Sequence, residues 1–116
     1  MTEDEVQAVL VAHLLERGWD VATANSDFTD VIARRGAELI VAEVKGHTSA
    51  VGTDVDIGYG QLLRRMTDAN ADAKFVLAVP ESLRTAAARV PSRVRRAVGI
   101  EVWLVPDVGP VHPLDG

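Results

Sequence analysis

The first hydrophobic pattern in the chain has the period of a helix. Three apolar residues recur at the spacing of one helix face, namely Val6, Leu10 and Leu14. Thr2 is followed three residues later by Glu5, which is the spacing of a capping box at a helix N-terminus. Gly18 is suited to ending the same helix, because glycine readily adopts the left-handed conformation found there. We therefore predict a helix over residues 2–17.

The second pattern consists of two apolar segments joined by Gly36 and Ala37. Glycine at the first central position is what a two-residue type II′ turn requires, so we predict a β-hairpin over residues 30–45. The turn sets the register, which pairs Arg35 with Glu38, Arg34 with Leu39, Ile32 with Val41, and Asp30 with Glu43. Side chains alternate along a strand, so Lys45 is expected on the same face as Glu43.

The remaining elements follow from shorter patterns. They are a strand over 19–23, a turn at 25–27, a loop over 46–57, a helix over 58–71, a strand over 74–79, a helical segment over 82–98 that is interrupted near Pro91, a strand over 101–105, and a tail from 106 onward. A strand, a helix and a second strand in succession favour parallel pairing. The order αβββαβαβ predicts a mixed α/β sheet.

Composition limits the class of protein. The chain has 116 residues, of which 47% are hydrophobic and 25% charged, so we predict one soluble globular domain over residues 1–116. The absence of cysteine excludes disulfides, thiolate metal ligands and a cysteine nucleophile. No apolar segment is long enough to span a membrane, and the acidic N-terminus is unlike a signal peptide. We therefore expect a cytoplasmic protein.

The chemistry predicted for the hairpin depends on Asp30 and Glu43. Two carboxylates about 5 Å apart repel by roughly 3 kcal/mol at an effective dielectric constant of about 20, so they need a proton, a cation or strong solvation between them. Mg²⁺ is typically held by one or two carboxylates together with water and phosphate oxygens. Lys45 could then stabilise developing negative charge or orient an attacking water. The alternative is an exposed hairpin with ordinary solvated charges.

The segment from Asp30 through twelve further residues to Glu43-Val44-Lys45 resembles the core motif of the PD-(D/E)xK nuclease superfamily. Thr29 replaces the proline that precedes the aspartate in that motif. The resemblance implies a restriction-endonuclease-like fold, like that of Holliday-junction resolvases, and metal-dependent endonuclease activity on DNA, with RNA as an alternative substrate. It also implies that Mg²⁺ or Mn²⁺ is held by Asp30, Glu43 and the backbone carbonyl of Val44, while Lys45 acts on the attacking water.

Two further residues enter through the resemblance. The first helix of such nucleases often supplies an acid to the metal, and Glu3 is the candidate here, since it shares the azimuth of the apolar face and Glu5 is accounted for by the cap. A favourable charge at the helix N-terminus is the alternative for Glu3. Gln61, beside Arg65, resembles the glutamine that positions water or phosphate, with an exposed helix glutamine as the alternative. His47 could contact phosphate, or it could simply be exposed in the loop.

The charge distribution bears on the partners. The net charge of −5 opposes nucleic-acid binding, yet five arginines and no acid lie between residues 82 and 100, namely Arg84, Arg89, Arg93, Arg95 and Arg96. They predict either a basic stripe on one helix that binds DNA or a solvated helix face. No DNA-reading motif is recognisable outside the hairpin, so we expect a homodimer or a partner DNA-binding subunit. The alternative function is a catalytically inactive nuclease-fold domain that serves nucleic-acid binding or protein assembly.

Overall fold

One mixed sheet organises the protein in this computed structural model, which describes residues 1–24 and 29–115. The elements are α1 (Glu3–Glu16), β1 (Asp20–Ala22), β2 (Val31–Arg35), β3 (Glu38–Val44), α2 (Val51–Arg65), β4 (Lys74–Pro80), α3 (Arg84–Ala87), α4 (Ser92–Val98), β5 (Ile100–Val105) and β6 (His112–Pro113), with short 3₁₀ turns at Asp68–Asn70 and Glu81–Leu83. The strands lie in chain order across the sheet. β3, β4 and β5 are parallel, whereas the other neighbours are antiparallel. The predicted mixed α/β fold is confirmed.

The predicted ends of the first helix are confirmed. The Thr2 hydroxyl accepts a hydrogen bond from the Glu5 backbone N–H at 3.2 Å, and the Glu5 carboxylate accepts one from the Thr2 N–H at 3.1 Å. Gly18 follows the helix with a φ of 83°, and the next backbone N–H, that of Trp19, donates to the Leu14 carbonyl at 3.1 Å. These bonds satisfy terminal backbone groups that have no partner within a helix.

The predicted hairpin register is also confirmed from the turn outward. Arg35 pairs with Glu38, and the pairing continues without a slip to Val31 and Ala42. Gly36 has a φ of 59°, the left-handed region that a two-residue hairpin turn demands at this position. Asp30 comes immediately before the first paired residue of β2, so the register leads directly to the next position of β3.

Helices cover both faces of the sheet. On one face α1 buries its apolar stripe against the even-numbered positions of β3 and β4, in a core that includes Val6, Leu10, Leu14, Ile40, Ala42, Val44, Val76 and Ala78. On the other face α2 and α3 cover the odd-numbered positions, with Val41, Val55, Tyr59, Leu62, Leu77 and Leu83 in the core. Glu43 and Lys45 therefore belong to the α2 side. No helix in the described ranges is long and apolar enough to cross a membrane.

The predicted loop over 46–57 and helix over 58–71 are wrong in their boundaries. α2 begins at Val51 and ends at Arg65. It starts early because Val55, one turn before Tyr59, extends the buried stripe, although the three glycines of α2 disfavour a helix in isolation. One of them, Gly58, lies where α2 approaches β4 so closely that a Cβ would be 2.7 Å from Leu77 Cδ1. Packing therefore favours the glycine that local propensity counts against.

The C-terminal part differs from the prediction in one respect. The interruption of the helical segment at Pro91 is confirmed, since α3 and α4 lie on either side of it. The predicted tail, however, contains β6, which pairs antiparallel with β5 through His112 and Leu104. Proline is tolerated in such a strand because its missing N–H costs nothing at a sheet edge. The turn predicted at residues 25–27 lies outside the described residues.

Candidate active site

Asp30 and Glu43 meet at the open end of the central hairpin. The Asp30 carboxylate accepts a hydrogen bond from the backbone N–H of Val44 at 2.8 Å, which ties it to the strand that contains Glu43. Glu43 is only 1% exposed. Its pKa is raised from 4.5 to about 7, first by burial and then by a hydrogen bond to Asp30 and by the negative charge of Asp30. The pair thus has the proximity and the repulsion that the hairpin register predicted.

A cation of the protein already lies beside this pair. Arg65, in the last turn of α2, places its Nε atom 3.5 Å from Oε1 of Glu43. The positive charge of Arg65 lowers the pKa of Glu43 and so opposes the effects of burial and of Asp30. The sequence placed Arg65 next to Gln61 but indicated no partner for it, because the contact joins residues far apart in the chain. Its spacing of one helical turn from Gln61 was the only available signal.

Unsatisfied polar atoms concentrate at the same place. Among the described residues, four buried side-chain polar atoms have no hydrogen-bond partner, and three of them are Glu43 Oε1, Gln61 Oε1 and Arg65 Nε. Leaving a buried polar group unpaired costs about 1–3 kcal/mol, so water, an ion or a ligand group that paired with these three atoms would be stabilised here. The fourth atom belongs to Arg95, which is part of a separate cluster.

Glu3 lies at the start of α1, which packs beside the end of β3. Gly46 packs so tightly against this helix terminus that a Cβ on it would lie 2.1 Å from the backbone nitrogen of Glu3. His47 secures the contact by donating its backbone N–H to the Met1 carbonyl at 2.8 Å. The pKa of Glu3 is raised by partial burial and then by the negative charge of Asp30, while Lys45 lowers it. Glu3, rather than the capping Glu5, is therefore the acid that faces the hairpin end.

Lys45 extends from the end of β3 towards α2. Its side chain is partly buried and packs against the helix at Gly58, where a Cβ would lie 3.3 Å from Cγ of Lys45. The Lys45 backbone N–H donates to the Ala78 carbonyl of β4 at 3.0 Å, which anchors the residue although it lies beyond the assigned strand. The ammonium group thus lies on the same side of the sheet as Glu43, as predicted.

The remaining candidate residues are His47 and the arginines between residues 82 and 100. His47 is exposed in the segment before α2. The five arginines do not lie on one helix as predicted, because they are divided among α3, α4 and the connection between them. Arg95 is 3% exposed and donates to the Val90 carbonyl at 2.8 Å and to Asp115 at 2.7 Å, so it is a structural residue.

The cluster offers few ligands for a metal ion by itself. In the part of the chain that the structure describes, no group of three or more His, Cys, Asp or Glu side chains is arranged to hold one. A two-carboxylate set still fits Mg²⁺, which commonly binds one or two carboxylates and completes its shell with water and phosphate oxygens. The Oε1 atom of Glu43 supports this fit, since it is a buried carboxyl oxygen without a well-aligned hydrogen bond.

The structure is therefore that of a mixed α/β protein with two carboxylates and a lysine at the end of its central hairpin. A solved structure with a similar fold is that of an XisH family protein from Nostoc punctiforme PCC 73102. The two superpose with a TM-score of 0.64 over 87% of this chain and 90% of the other, at 16% sequence identity. At that identity the likeness supports the fold alone. No family model and no curated protein matches the sequence.

Proposed function

We propose that this protein is a metal-dependent nuclease that hydrolyses phosphodiester bonds, with DNA as its substrate. The observation that supports the proposal best is the pair Asp30 and Glu43, with Lys45 on the same side of the sheet. Two acids that can bind a metal ion, beside a lysine that can stabilise negative charge, are suited to such hydrolysis. The similar fold of the XisH family protein is compatible with this function but does not test it.

Each residue of the cluster has a proposed role. Asp30 and Glu43 would hold Mg²⁺ or Mn²⁺, helped by Glu3 and the backbone carbonyl of Val44. The bound metal would supply an acidified water and neutralise charge on the phosphate. On the protein side, the Lys45 ammonium would orient the attacking water and stabilise the negative charge that develops on the phosphate oxygens.

Gln61 completes the proposed arrangement. Its Oε1 atom is buried without a hydrogen-bond partner. A glutamine amide can accept from a water through Oε1 and donate to a phosphate oxygen through Nε2. The role of Gln61 would therefore be to position the attacking water or the substrate backbone. A substrate that supplies these bonds would remove the cost of the unpaired atom.

Binding a DNA duplex would need more basic surface than this chain offers. The net charge is −5, and the five arginines between residues 82 and 100 are divided among separate elements, with Arg95 buried. Backbone phosphates are recognised mainly by positive charge, so a second copy of the chain or a DNA-binding subunit would supply the missing contacts. Light scattering tests this proposal. A protein that stays monomeric at high concentration, and binds DNA tightly as that monomer, would contradict it.

The second candidate function is a catalytically inactive domain of the same fold. It is favoured by one observation, the contact between Arg65 and Glu43, which partly neutralises the carboxylate without a metal ion. In that case the cluster would be a buried ion network, and the protein would bind nucleic acid or assemble with another protein. Such a protein would fold normally and show no response to divalent metals.

A cleavage panel tests the nuclease proposal. Holliday junction, flap, nicked and linear duplex DNA, together with RNA, would each be incubated with Mg²⁺ or Mn²⁺. Lys45→Ala is the informative variant, and Lys74→Ala is its matched control, since Lys74 is exposed at the opposite end of β4. We expect Lys45→Ala to lower the cleavage rate by about 10²-fold or more, the typical effect of losing one preorganised charge. Absence of metal-dependent cleavage on every substrate would favour the inactive domain.

A further inference from the structure

Arg65 connects the buried carboxylate with the protein surface. The Glu43 side chain is 1% exposed, whereas that of Arg65 is 27% exposed, and their closest atoms are 3.5 Å apart. Arg65 lies in the last turn of α2, where the helix dipole favours a positive charge. The arginine can therefore reach water by a change of its own side chain, whereas Glu43 is held by the sheet.

The contact between the two side chains is loose. Arg65 Nε and Glu43 Oε1 are both buried, and at 3.5 Å they form no short, well-aligned hydrogen bond. Arginine and carboxylate groups that serve a purely structural role usually form short, often bidentate bonds, because a buried ion pair otherwise fails to recover its desolvation cost. By contrast, the buried Arg95 reaches Asp115 at 2.7 Å. The two arginines of the same protein thus differ in how firmly they are bound.

We propose that Arg65 is an internal counter-cation that competes with the metal ion for Glu43. The inference rests on the proposed function. At the same site, Arg65 controls how tightly Glu43 and Asp30 bind the metal ion. Without metal, Arg65 limits the repulsion between Glu43 and Asp30, and tight metal binding requires it to withdraw. An internal competitor lowers the apparent affinity in proportion to the fraction of molecules in which the site is open.

Metal affinity provides the test, with Arg65→Met as the variant and Arg64→Met as the matched control. Arg64 is the exposed neighbour on the same helix, so both variants lose one positive charge and attract the metal equally at long range. Calorimetric titration with Mg²⁺ would be carried out at about pH 9, so that Glu43 is ionised. If the pair is closed in about nine molecules of ten, Arg65→Met should bind Mg²⁺ about tenfold more tightly than Arg64→Met.

A second readout uses the parent protein and does not depend on the variant being stable. The Nε–H proton of Arg65 is assigned in NMR spectra by its loss in Arg65→Met. Because this atom is buried in the closed pair, we expect its proton to exchange with water more slowly in chelator than when Mg²⁺ saturates the protein. The Nε–H of Arg95, whose guanidinium is bonded to Asp115 and Val90, serves as the internal control and should not change.

The outcomes separate this inference from the proposed function. If the parent protein binds Mg²⁺ and cleaves DNA, but Arg65→Met binds no more tightly than Arg64→Met, Arg65 is a structural partner only and the nuclease proposal stands. An exchange rate of the Arg65 Nε–H that stays the same when Mg²⁺ saturates the protein would overturn the inference in the same way. If none of the three proteins binds Mg²⁺, both the inference and the nuclease proposal are wrong.

Discussion

Replacing Glu43 with glutamine should stabilise the metal-free protein, and the gain should depend on pH. The pKa of Glu43 is about 7 in the folded protein against 4.5 as the ordinary value. The folded state therefore binds the proton more tightly than the unfolded state. The resulting stabilisation is complete below pH 4.5 and is lost as the pH rises through about 7. Glutamine mimics the protonated acid at every pH, so it avoids this loss.

The size of the effect follows from the pKa difference. Each unit corresponds to about 1.4 kcal/mol, so the free energy of unfolding of Glu43→Gln relative to the parent should rise by at most about 3 kcal/mol between acidic and mildly alkaline pH. The Glu43 side chain is almost fully buried, so water screens its charge little. Arg65 keeps a neutral acceptor in the variant, since the glutamine carbonyl oxygen can still face it.

Urea denaturation followed by circular dichroism at about pH 5 and about pH 8, in chelator, measures the difference. Glu38→Gln is the control, because Glu38 lies on the same strand with a 61% exposed side chain in a surface pair with Arg35. It should change the stability little at either pH. If Glu43→Gln were instead less stable than the parent at the higher pH, the Arg65 pair would outweigh the repulsion from Asp30, and the reasoning would be refuted.

Three further predictions concern the same region. In chelator, Asp30→Asn should melt at a higher temperature than the parent, and it should lose both the stabilisation by Mg²⁺ and the cleavage activity. Differential scanning fluorimetry and a nuclease assay measure these changes. A lower melting temperature of the variant, together with a parent that neither Mg²⁺ nor Mn²⁺ stabilises, would contradict the prediction. Lys45→Ala should bind Mg²⁺ in calorimetry as the parent does, since lysine is not a ligand, and a large loss of affinity would argue against its role. Gly46→Ala should lower the melting temperature far more than Gly60→Ala. A Cβ at Gly46 would lie 2.1 Å from the backbone of Glu3, whereas a Cβ at Gly60 would have no neighbour closer than 3.7 Å. Equal effects of the two substitutions would show that α1 is free to move away from Gly46.

The sequence by itself determined the features that depend on neighbouring residues. The capping box of Thr2 and Glu5 and the glycine after α1 were predictable, since each satisfies backbone groups within a few residues. The hairpin register was predictable as well, because a two-residue turn at Gly36 allows only one pairing of the strands that it joins. That register brought Asp30 and Glu43 together, and the resemblance of the motif to that of nucleases suggested metal binding as the role of the pair.

Only the tertiary structure decided how the hairpin end is completed. α2 begins earlier than its own sequence indicates, because the buried Val55 and the close approach at Gly58 outweigh helix propensity. The same packing places Arg65 against Glu43, and the contact at Gly46 places Glu3 near Asp30. These contacts join segments far apart in the chain, and they arise from the shapes of packed surfaces. No periodicity in the sequence records such shapes, so the cation beside Glu43 could be found only in the folded protein.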